Sequence, residues 1–295
     1  MNDVIVIYGP TAVGKSAIAI KLAKLINGEI ISADSMQIYK HLNIGSAKVT
    51  TQEMQGIKHY LIDIKYPNEN YSVSDFCTDA TRCIEEILAK DKTPIIVGGT
   101  GLYIKSLVNG YDFANVKKQD DFRNSLVNLS NEEIYKNILS INNSIQIDKN
   151  NRHRLVRALE KLKYGNDIAK TNTPKYNFKL FAIVDDRQKI YDRINNRVDK
   201  MVNEGLLEEA KYLFSLNLPQ DNLAIKAIGY KELFPYLRGE CSLEECLITL
   251  KQKSRNYAKR QFTFLNQFDN ICIITFQGIN ETAKIIYKII EDKNE

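Results

Sequence analysis

Histidine and cysteine are scarce in this sequence, and long apolar runs are missing. The three histidines lack the spacing of metal ligands, so we expect no zinc site. Five scattered cysteines without a close Cys-x-x-Cys pair indicate reduced thiols of a cytosolic protein, not a disulfide framework. No apolar stretch approaches the roughly 20 residues of a bilayer span. Because the first residues show neither a basic leader nor a cleavage site, we expect a cytoplasmic protein without a membrane segment.

A strong excess of either charge sign is also absent. Lys and Arg number 41 against 36 Asp and Glu, a net charge of +5, which permits a polyanionic partner without requiring one. Hydrophobic residues form 44% of the 295, enough for a packed interior, and this excludes a disordered chain. The length suits one large domain or a core with a second lobe.

Short runs rich in Ile and Val recur along the chain, each followed by turn residues. They span residues 4–8, 29–33, 60–64, 94–99, 180–184 and 271–276. Few of them alternate with polar residues, a pattern typical of strands buried on both faces of a parallel sheet. Helical periodicity lies between several runs, one helix starting at a predicted cap, Ser74. We therefore predict an α/β fold, a P-loop-type parallel sheet core flanked by helices.

The amino-acid composition of the sequence changes after Gly110. The following stretch is rich in Asn and Lys, with helical patches and no convincing strand. We predict that residues 1–112 form the first part of the core and that 113–177 are a mostly helical insertion lobe. Residues 178–295 then complete the core with helices and a last strand.

The octapeptide "GPTAVGKS" fits the phosphate-loop pattern G-x-x-x-x-G-K-[ST], with an apolar run before it and a helical pattern after it. Backbone N–H groups of such a loop converge on an anion at a helix N-terminus, and a lysine adds a full charge. The serine hydroxyl can hold Mg²⁺. The predicted phosphate-binding residues are Gly9, Pro10, Thr11, Ala12, Val13, Gly14, Lys15 and Ser16.

Three further motifs follow predicted strands and so belong to the same crevice, at the carboxyl ends of the strands. Asp34 opens "DSMQIY", Asp63 lies in "YLIDI", and Thr100 lies in "GGTGLY". Asp34 is a candidate general base, with a helix cap or a metal-bridging acid as alternatives. Asp63 is either a second site carboxylate or a structural partner of a basic residue. The glycine turn either only reverses the chain or also places Thr100 on a ligand.

The phosphate loop alone leaves the reaction open between phosphoryl transfer and substitution at carbon with diphosphate leaving. A kinase needs an acceptor hydroxyl and usually an arginine-bearing lid, which is hard to place in this sequence. In a substitution, the loop, Lys15 and Mg²⁺ would stabilise the charge that develops on the departing oxygen. Asp34 would take a proton from an attacking amine, for which a carboxylate of ordinary pKa, about 4, suffices.

The chain resembles the tRNA dimethylallyltransferases (tRNA isopentenyltransferases). The similarity lies in "GPTAVGKS", "ISADSMQIYKHLNIGSAK", "HYLIDI", "YSVSDF", "PIIVGGTGLYI", "RHRLVRALE", "AIGYKEL" and "RNYAKRQFTF", in family order over nearly the whole chain. The resemblance implies transfer of a dimethylallyl group from dimethylallyl diphosphate to the exocyclic amine of the adenosine 3′ of the tRNA anticodon, assisted by Mg²⁺. It implies tRNAs that read codons starting with U as substrates.

The resemblance also implies roles for individual residues. Asp34 would be the general base, and Thr11 would touch the bridging oxygen of the leaving diphosphate. The implied tRNA-contacting residues are Asp34, Ser35, Met36, Gln37, Thr100, Arg123, His153, Arg154, Leu155, Val156, Arg157, Lys226 and Lys231. Arg154, Arg157 and Lys161 share one helical face, and Lys251, Arg255 and Lys259 recur at steps of four with aromatic residues between them. Such faces suit phosphate contacts and base stacking, or are merely solvated.

The sequence departs from the family pattern at three places. Phe264 stands where the family commonly has Trp, Asn266 stands where a basic residue often follows, and "NNRHRL" replaces a more usual Pro-Gln pair before the arginine. Some relatives carry a C-terminal zinc finger, which we do not expect here. Three alternatives to a monomeric tRNA prenyltransferase remain: an adenylate isopentenyltransferase, a small-molecule kinase using ATP, and an RNA-binding module with a degenerate loop.

Overall fold

Strands and helices alternate through most of the computed structural model, which describes residues 2–110, 119–165 and 175–292. The strands are β1 (Asp3–Tyr8), β2 (Gly28–Ser32), β3 (His59–Tyr60), β4 (Thr93–Gly98), β5 (Asn177–Val184) and β6 (Cys272–Thr275). The helices are α1 (Lys15–Leu25), α2 (Thr51–Met54), α3 (Val73–Leu88), α4 (Gly101–Val108), α5 (Asp120–Ser125), α6 (Asn131–Ile141), α7 (Arg152–Tyr164), α8 (Arg187–Asn203), α9 (Leu206–Ser215), α10 (Phe234–Leu237), α11 (Leu243–Phe264) and α12 (Ile279–Glu291).

The strands form one sheet in the order β3-β2-β4-β1-β5-β6, and all five neighbouring pairs are parallel. Alternate residues of β1 enter different hydrophobic clusters: Val4 and Val6 join one, and Ile5 and Ile7 join the other. Both faces of the central strand are therefore buried, which is why its sequence is apolar without alternation. The predicted fold class is confirmed.

The predicted strand at 60–64 is much shorter in the structure. It pairs with β2 only over His59 and Tyr60. Leu61 and Asp63 have positive φ angles of 60° and 55°, a left-handed backbone that cannot continue a strand. The apolar run therefore leaves the sheet after Tyr60.

Helix α3 begins two residues earlier than the predicted cap, Ser74, implies. Ser72 is its cap: its Oγ accepts a hydrogen bond from the Asp75 N–H at 3.2 Å, and Asp75 Oδ2 accepts one from the Ser72 N–H at 2.8 Å. This reciprocal capping box satisfies two backbone donors at once. Ser74 lies inside the first turn because the Ser72–Asp75 spacing, unlike that of Ser74, allows both bonds.

The chain divides into a larger unit, Met1–Asn109 with Pro174–Glu295, and a smaller unit, Gly110–Thr173. The smaller unit contains α5, α6 and α7, whose apolar faces meet in a core of Phe122, Leu126, Ile134, Ile138, Leu155 and Leu159. Strand β5 begins at Asn177, so the last residue of the predicted insertion, 113–177, pairs in the sheet. Within the described ranges, no helix is long and apolar enough to cross a membrane.

The sheet order brings three sequence motifs to one edge. Strands β2, β4 and β1 are neighbours, and their carboxyl ends lead into Asp34, the turn at Gly99 and Thr100, and the phosphate loop. In a parallel sheet these ends open on the same side. The fold thus places the predicted phosphate, carboxylate and glycine-turn motifs around one crevice of the larger unit.

Candidate active site

The phosphate loop connects β1 to α1. Gly14, with φ of 99°, occupies the position before the helix, a conformation in which a Cβ would be strained. Lys15 is the first residue of α1, and its Nζ donates to the Pro10 carbonyl oxygen at 2.7 Å, so its side chain folds back along the loop. Gly9, Pro10 and Val13 are buried, whereas Ser16 is exposed. The cradle thus presents a helix N-terminus, a lysine and a hydroxyl.

The Lys15 ammonium is held in an environment that disfavours its charge. Burial is the largest effect and the nearby Arg197 guanidinium the second, and together they lower the pKa of Lys15 to about 7. The Asp34 carboxylate raises this pKa, but only partly offsets the decrease. A bound anion would supply the interaction that water provides elsewhere and would restore the charge. The loop is therefore electrostatically prepared for an anionic ligand.

Arg197 reaches the phosphate loop from α8. Its Nη1 donates to Thr11 Oγ1 at 3.2 Å, and the side chain is half-buried. Burial lowers the pKa of Arg197, with Glu53 opposing, yet an arginine remains protonated at physiological pH. A fixed cation consequently lies beside the hydroxyl that, by the family resemblance, would contact the leaving group.

Asp34 lies two residues beyond β2 and is half-buried. Its Oδ1 accepts a hydrogen bond from the Met36 N–H at 2.9 Å, which fixes the carboxylate. Burial raises the pKa of Asp34, although the Met36 N–H and the Lys15 ammonium act in the opposite direction. The pKa of Asp34 is therefore raised above that of the ordinary carboxylate that would suffice for this step, and a carboxylate partly removed from water is a stronger proton acceptor.

The segment after Asp34 is tied to its neighbours by side chains. The Ser35 N–H donates to Thr100 Oγ1 at 3.1 Å, across from the β4 turn. Gln37 Oε1 accepts from Ser32 Oγ at 3.0 Å, and its Nε2 donates to the Ala47 carbonyl oxygen at 3.3 Å. Thr100 thus holds the Asp34 segment, a role beyond simply turning the chain.

Two clefts of the larger unit meet at this crevice. The first, of about 370 Å³, contains the cradle residues Gly14, Lys15 and Ser16. The second, of about 360 Å³, has an apolar wall that includes Ile194, Val198, Met201 and Leu250. Both clefts are lined by Thr11, Asp34, Ser46, Ala47 and Arg197. A polar phosphate site and an apolar cavity therefore share one border.

Further predicted residues line the second cleft. Ser35 and Met36 lie in its wall, and the exposed side chains of Lys226 and Lys231 lie at its edge. Tyr257 of α11 also faces this space. Burial raises the pKa of Tyr257 to about 12, the Asp34 carboxylate adds to the rise, and Thr100 and Gln261 oppose it. The tyrosine is therefore a neutral hydroxyl next to the carboxylate.

In the smaller unit, Arg123 and Arg157 converge on one carboxylate. Glu160 is fully buried, and its oxygens accept from Arg123 Nη2 at 2.8 Å and from Arg157 Nη1 at 2.5 Å. Burial favours the neutral acid, but hydrogen bonds from Arg123, the Gln119 N–H and Arg157 outweigh it and lower the pKa of Glu160 to about 2. The two predicted tRNA-contacting arginines thus also form the polar centre of this unit.

The other residues predicted on α7 differ in exposure. His153 and Arg154 are exposed, and Val156 is half-buried. Leu155 is fully buried in the core of the smaller unit, so its side chain supports the helix and faces no partner. The family stretch combines surface residues with one core residue because a helix must bury one of its faces.

Several residues from the basic and aromatic stretch of α11 have partners within the larger unit. Lys251 pairs with Asp199 at 2.6 Å, and Arg255 Nη1 donates to Asn195 Oδ1 at 2.7 Å. Phe264, at the family's Trp position, packs with Tyr8 and Phe268, while Asn266 is exposed. Helix α11 is consequently fastened to α8 and to β1.

Asp63 is a structural partner of a basic residue, the second of the two alternatives that the sequence left open. Its Oδ1 accepts from Lys48 Nζ at 2.6 Å, and that ammonium also donates to the Tyr39 carbonyl oxygen at 2.7 Å. Asp63 lines neither of the two clefts described above. It therefore holds the loop that follows Asp34, and the single carboxylate of the predicted set at the shared border is Asp34.

Three residues of this crevice are not among the individually predicted site residues: Arg197, Tyr257 and Gln261, the last two of which lie in the family stretch "RNYAKRQFTF". The sequence contains an indication for Arg197: it lies three residues after Ile194 and four before Met201, and so on the buried face of α8. A charged residue at such a position indicates a specific partner. Gln261 likewise lies three residues after the buried Ala258.

Comparison with known proteins shows which family the sequence belongs to. Residues 37–268 match the sequence model of the IPP transferase family. A tRNA dimethylallyltransferase of Streptococcus agalactiae serotype III is 46% identical over 288 residues, 97% of this chain and 96% of that protein. The corresponding enzyme of Streptococcus gordonii is 47% identical over 281 residues, 94% and 93% of the two chains.

Solved structures agree with the sequence relatives. The full-length tRNA isopentenylpyrophosphate transferase of Bacillus halodurans has a TM-score of 0.77 and 38% identity, covering 99% of this chain and 97% of its own. A eukaryotic dimethylallyltransferase acting on tRNA has a TM-score of 0.82 and 29% identity, covering 93% of this chain and 74% of its own. The resemblance seen in the motifs is confirmed, and the chain belongs to the IPP transferase family of tRNA dimethylallyltransferases.

Proposed function

We propose that this enzyme transfers a dimethylallyl group from dimethylallyl diphosphate to N6 of the adenosine 3′-adjacent to the anticodon, in tRNAs reading codons that start with U. The main support for this proposal is that the two clefts share a border, where Thr11, Asp34 and Arg197 line both of them. A phosphate cradle, a proton acceptor and an apolar cavity are the three parts that this reaction requires. The relatives' activity supports the identity of donor and acceptor.

The leaving group is stabilised by cations and donors of the cradle. As the bond between the dimethylallyl carbon and oxygen breaks, negative charge develops on the diphosphate. Lys15, Arg197 and the N–H groups at the start of α1 offset this charge, and the Thr11 hydroxyl donates to the bridging oxygen. These groups are already in place, so little reorganisation accompanies bond breaking.

Ser16 provides a suitable ligand for Mg²⁺. Its hydroxyl is exposed in the first cleft, and hard oxygen donors are what this ion prefers. Within the described ranges, no group of three or more His, Cys, Asp or Glu side chains is arranged for a metal. Ser16 would hold Mg²⁺ together with diphosphate oxygens, and the ion would add positive charge at the leaving group.

Asp34 takes the proton on the opposite side of the reacting carbon. As the new bond between N6 and carbon forms, the amine becomes acidic and its proton passes to the Asp34 carboxylate. The adenosine must leave the base stack to reach this position, and Ser35, Met36, Gln37 and Thr100 would hold the extruded base. The apolar wall of the second cleft excludes water from the allylic centre.

Basic residues beyond the crevice support a tRNA substrate over a free nucleotide. Lys226 and Lys231 lie at the cleft edge, and Arg123, His153, Arg154 and Arg157 belong to the smaller unit. These side chains suit the phosphates of an anticodon stem-loop.

The five cysteines are unpaired thiols, which agrees with a cytoplasmic enzyme, and we propose that it acts as a monomer.

The proposal is tested by giving the purified enzyme labelled dimethylallyl diphosphate with an anticodon stem-loop or with free AMP. We expect diphosphate release and a prenylated adenosine 3′ of the anticodon in the stem-loop alone. Comparable turnover of AMP would favour the adenylate isopentenyltransferase alternative. Phosphoryl transfer from labelled ATP to an acceptor would instead establish a kinase.

A further inference from the structure

The Gln261 side chain bridges the two glycine-containing turns of the crevice. Its Oε1 accepts from the Thr11 N–H at 2.8 Å, and its Nε2 donates to the Gly99 carbonyl oxygen at 2.9 Å. The carboxamide thus uses both of its ends, one on the phosphate loop and one on the turn after β4. The two turns are about 90 residues apart in sequence, and Gln261 is a further 162 residues from Gly99.

Each turn that Gln261 contacts carries a different half of the site. On one side, Thr11 Oγ1 accepts from Arg197 at the predicted leaving group. On the other side, Thr100, next to Gly99, accepts from the Ser35 N–H and so holds the residue after Asp34. Gln261 therefore links the residue at the leaving group to the residue that holds the proton acceptor.

The bridge is rigid and closely packed. Gln261 is only 4% exposed, and its own carbonyl oxygen accepts from the Tyr8 hydroxyl at 2.9 Å. A Cβ at position 99 would lie 2.1 Å from Gln261 Nε2, so the glycine is required for the carboxamide to approach. A buried residue held by two side-chain hydrogen bonds and one main-chain hydrogen bond leaves the two turns little freedom to move apart.

We propose that Gln261 is a positioning residue, which sets the separation of Thr11 and Asp34 and thereby the alignment of leaving group and proton acceptor. The inference rests on the proposed function of those two residues. Displacement requires the nucleophile and the leaving oxygen on opposite sides of one carbon, so a small error in their spacing costs rate more than binding. Gln261 itself need not touch either substrate.

Two substitutions separate positioning from packing. Gln261→Met keeps the length of the side chain and removes both hydrogen bonds. Gln261→Glu keeps an acceptor for the Thr11 N–H, but only the neutral acid can also donate to the Gly99 oxygen. Burial raises the pKa of a carboxyl group, so acidification within the working range would restore the donor.

The other titratable groups do not obscure this signature. Among the described residues, Tyr8 on β1 and Tyr257 one turn earlier on α11 contact Gln261. Burial raises both pKa values, that of Tyr257 to about 12, so neither titrates near neutrality. Lys15, with a pKa of about 7, and Asp34 titrate in wild type and variant alike, and dividing the variant's kcat by that of wild type at each pH removes the contribution that they share.

The experiment compares kcat, KM for dimethylallyl diphosphate and Tm of wild type, both variants and a matched control, Gln188→Met, on the exposed start of α8. For Gln261→Met we expect kcat to fall about 10- to 100-fold with KM much less changed. For Gln261→Glu we expect the kcat ratio to wild type to rise as pH falls from about 8.5 to about 6.

The outcomes distinguish this inference from the proposed function. Wild-type kcat in a folded Gln261→Met enzyme would overturn the inference. If Gln261→Met does not fold, a flat kcat ratio for Gln261→Glu across the pH range would overturn it. An inactive wild-type enzyme would instead contradict the proposed function.

Discussion

Arg197 Nη1 lies 3.2 Å from Thr11 Oγ1, although the two residues are 186 positions apart in the sequence. The contact joins the last turns of α8 to the phosphate loop. It places a permanent cation where a departing diphosphate would develop its charge, and it also makes Arg197 a wall of the apolar cleft. In the proposed reaction, one side chain would therefore border both the leaving group and the group that is transferred.

Replacing Arg197 should slow the chemical step. We expect Arg197→Ala to lower kcat by about 10²- to 10³-fold, the cost of removing one preorganised donor at a developing anion. Arg197→Lys should recover only part of the rate, because an ammonium lacks the planar fork of a guanidinium. Steady-state kinetics with a stem-loop substrate measure both. Arg187→Ala, at the other end of α8, is the control, and an unchanged kcat for Arg197→Ala would contradict the assignment.

Replacing Asp34 should separate catalysis from diphosphate binding. We expect Asp34→Ala to cut turnover by about 10²- to 10⁴-fold, the usual range for removing a proton acceptor. Calorimetric titration with inorganic diphosphate should show affinity close to that of wild type. If diphosphate affinity collapses together with turnover, Asp34 acts at the metal and is not the base.

The environment of Asp34 should be visible in the pH profile. Because burial raises its pKa, the carboxylate form is lost at a higher pH than for an exposed aspartate. The acid limb of kcat/KM should accordingly bend at a higher pH than an exposed aspartate would give, with the rate rising as Asp34 deprotonates. The profile of the residual activity of Asp34→Asn should lack this limb. An acid limb retained by the variant would assign the titration to another group.

Sequence patterns predicted much of this arrangement, and for physical reasons. Buried parallel strands are apolar throughout, and phosphate cradles require a local glycine-lysine motif, so β1, β4 and the loop 9–16 could be recognised from neighbouring residues. Arg197 lies in no recognised motif, and Tyr257 and Gln261 lie in the family stretch "RNYAKRQFTF", whose residues do not indicate what each of them contacts. They reach the crevice only because α8 and α11 pack beside the sheet, and packing of distant segments is not encoded in a short window.

Two local predictions failed because neighbouring residues compete. The run 60–64 is apolar enough for a strand, but left-handed backbone at Leu61 ends it. Ser72 and Ser74 are both suitable caps, and the carboxylate of Asp75 selects the first.

On α7, basic residues at helical spacing suggested a solvated or RNA-binding face, yet Glu160 among them is the buried partner of two arginines.

The Glu160 centre should govern the stability of the smaller unit. We expect Glu160→Gln to destabilise it by about 3–5 kcal/mol, the usual cost of removing one partner from a buried ion pair. The pKa of Glu160 is lowered in the folded state, so its contribution is full above about pH 4.5 and is lost as pH falls towards about 2. Hydrogen exchange of α7 amides reports this loss. Glu132→Gln, exposed on α6, should leave exchange unchanged; equal protection in both variants would contradict the prediction.

Arg154 should report phosphate contact without disturbing that centre. It is exposed on α7, whereas Arg157 is tied to Glu160. We expect Arg154→Ala to weaken tRNA binding and to reduce the slope of log affinity against log salt by about 1. Arg157→Ala should reduce both tRNA affinity and the Tm. Arg82→Ala on α3 is the control, and an unaltered salt slope for Arg154→Ala would remove Arg154 from the interface.

In the proposed reaction, an isoprenoid diphosphate occupies the cradle while Asp34 faces a nucleobase amine. A crystal structure with an anticodon stem-loop and an unreactive dimethylallyl diphosphate analogue tests it most directly. We expect the diphosphate on residues 14–16 and Arg197, the adenine N6 within hydrogen-bonding distance of Asp34, and the allylic carbon between them. Diphosphate bound elsewhere, or ATP in the cradle with its terminal phosphate directed at a hydroxyl acceptor, would contradict it.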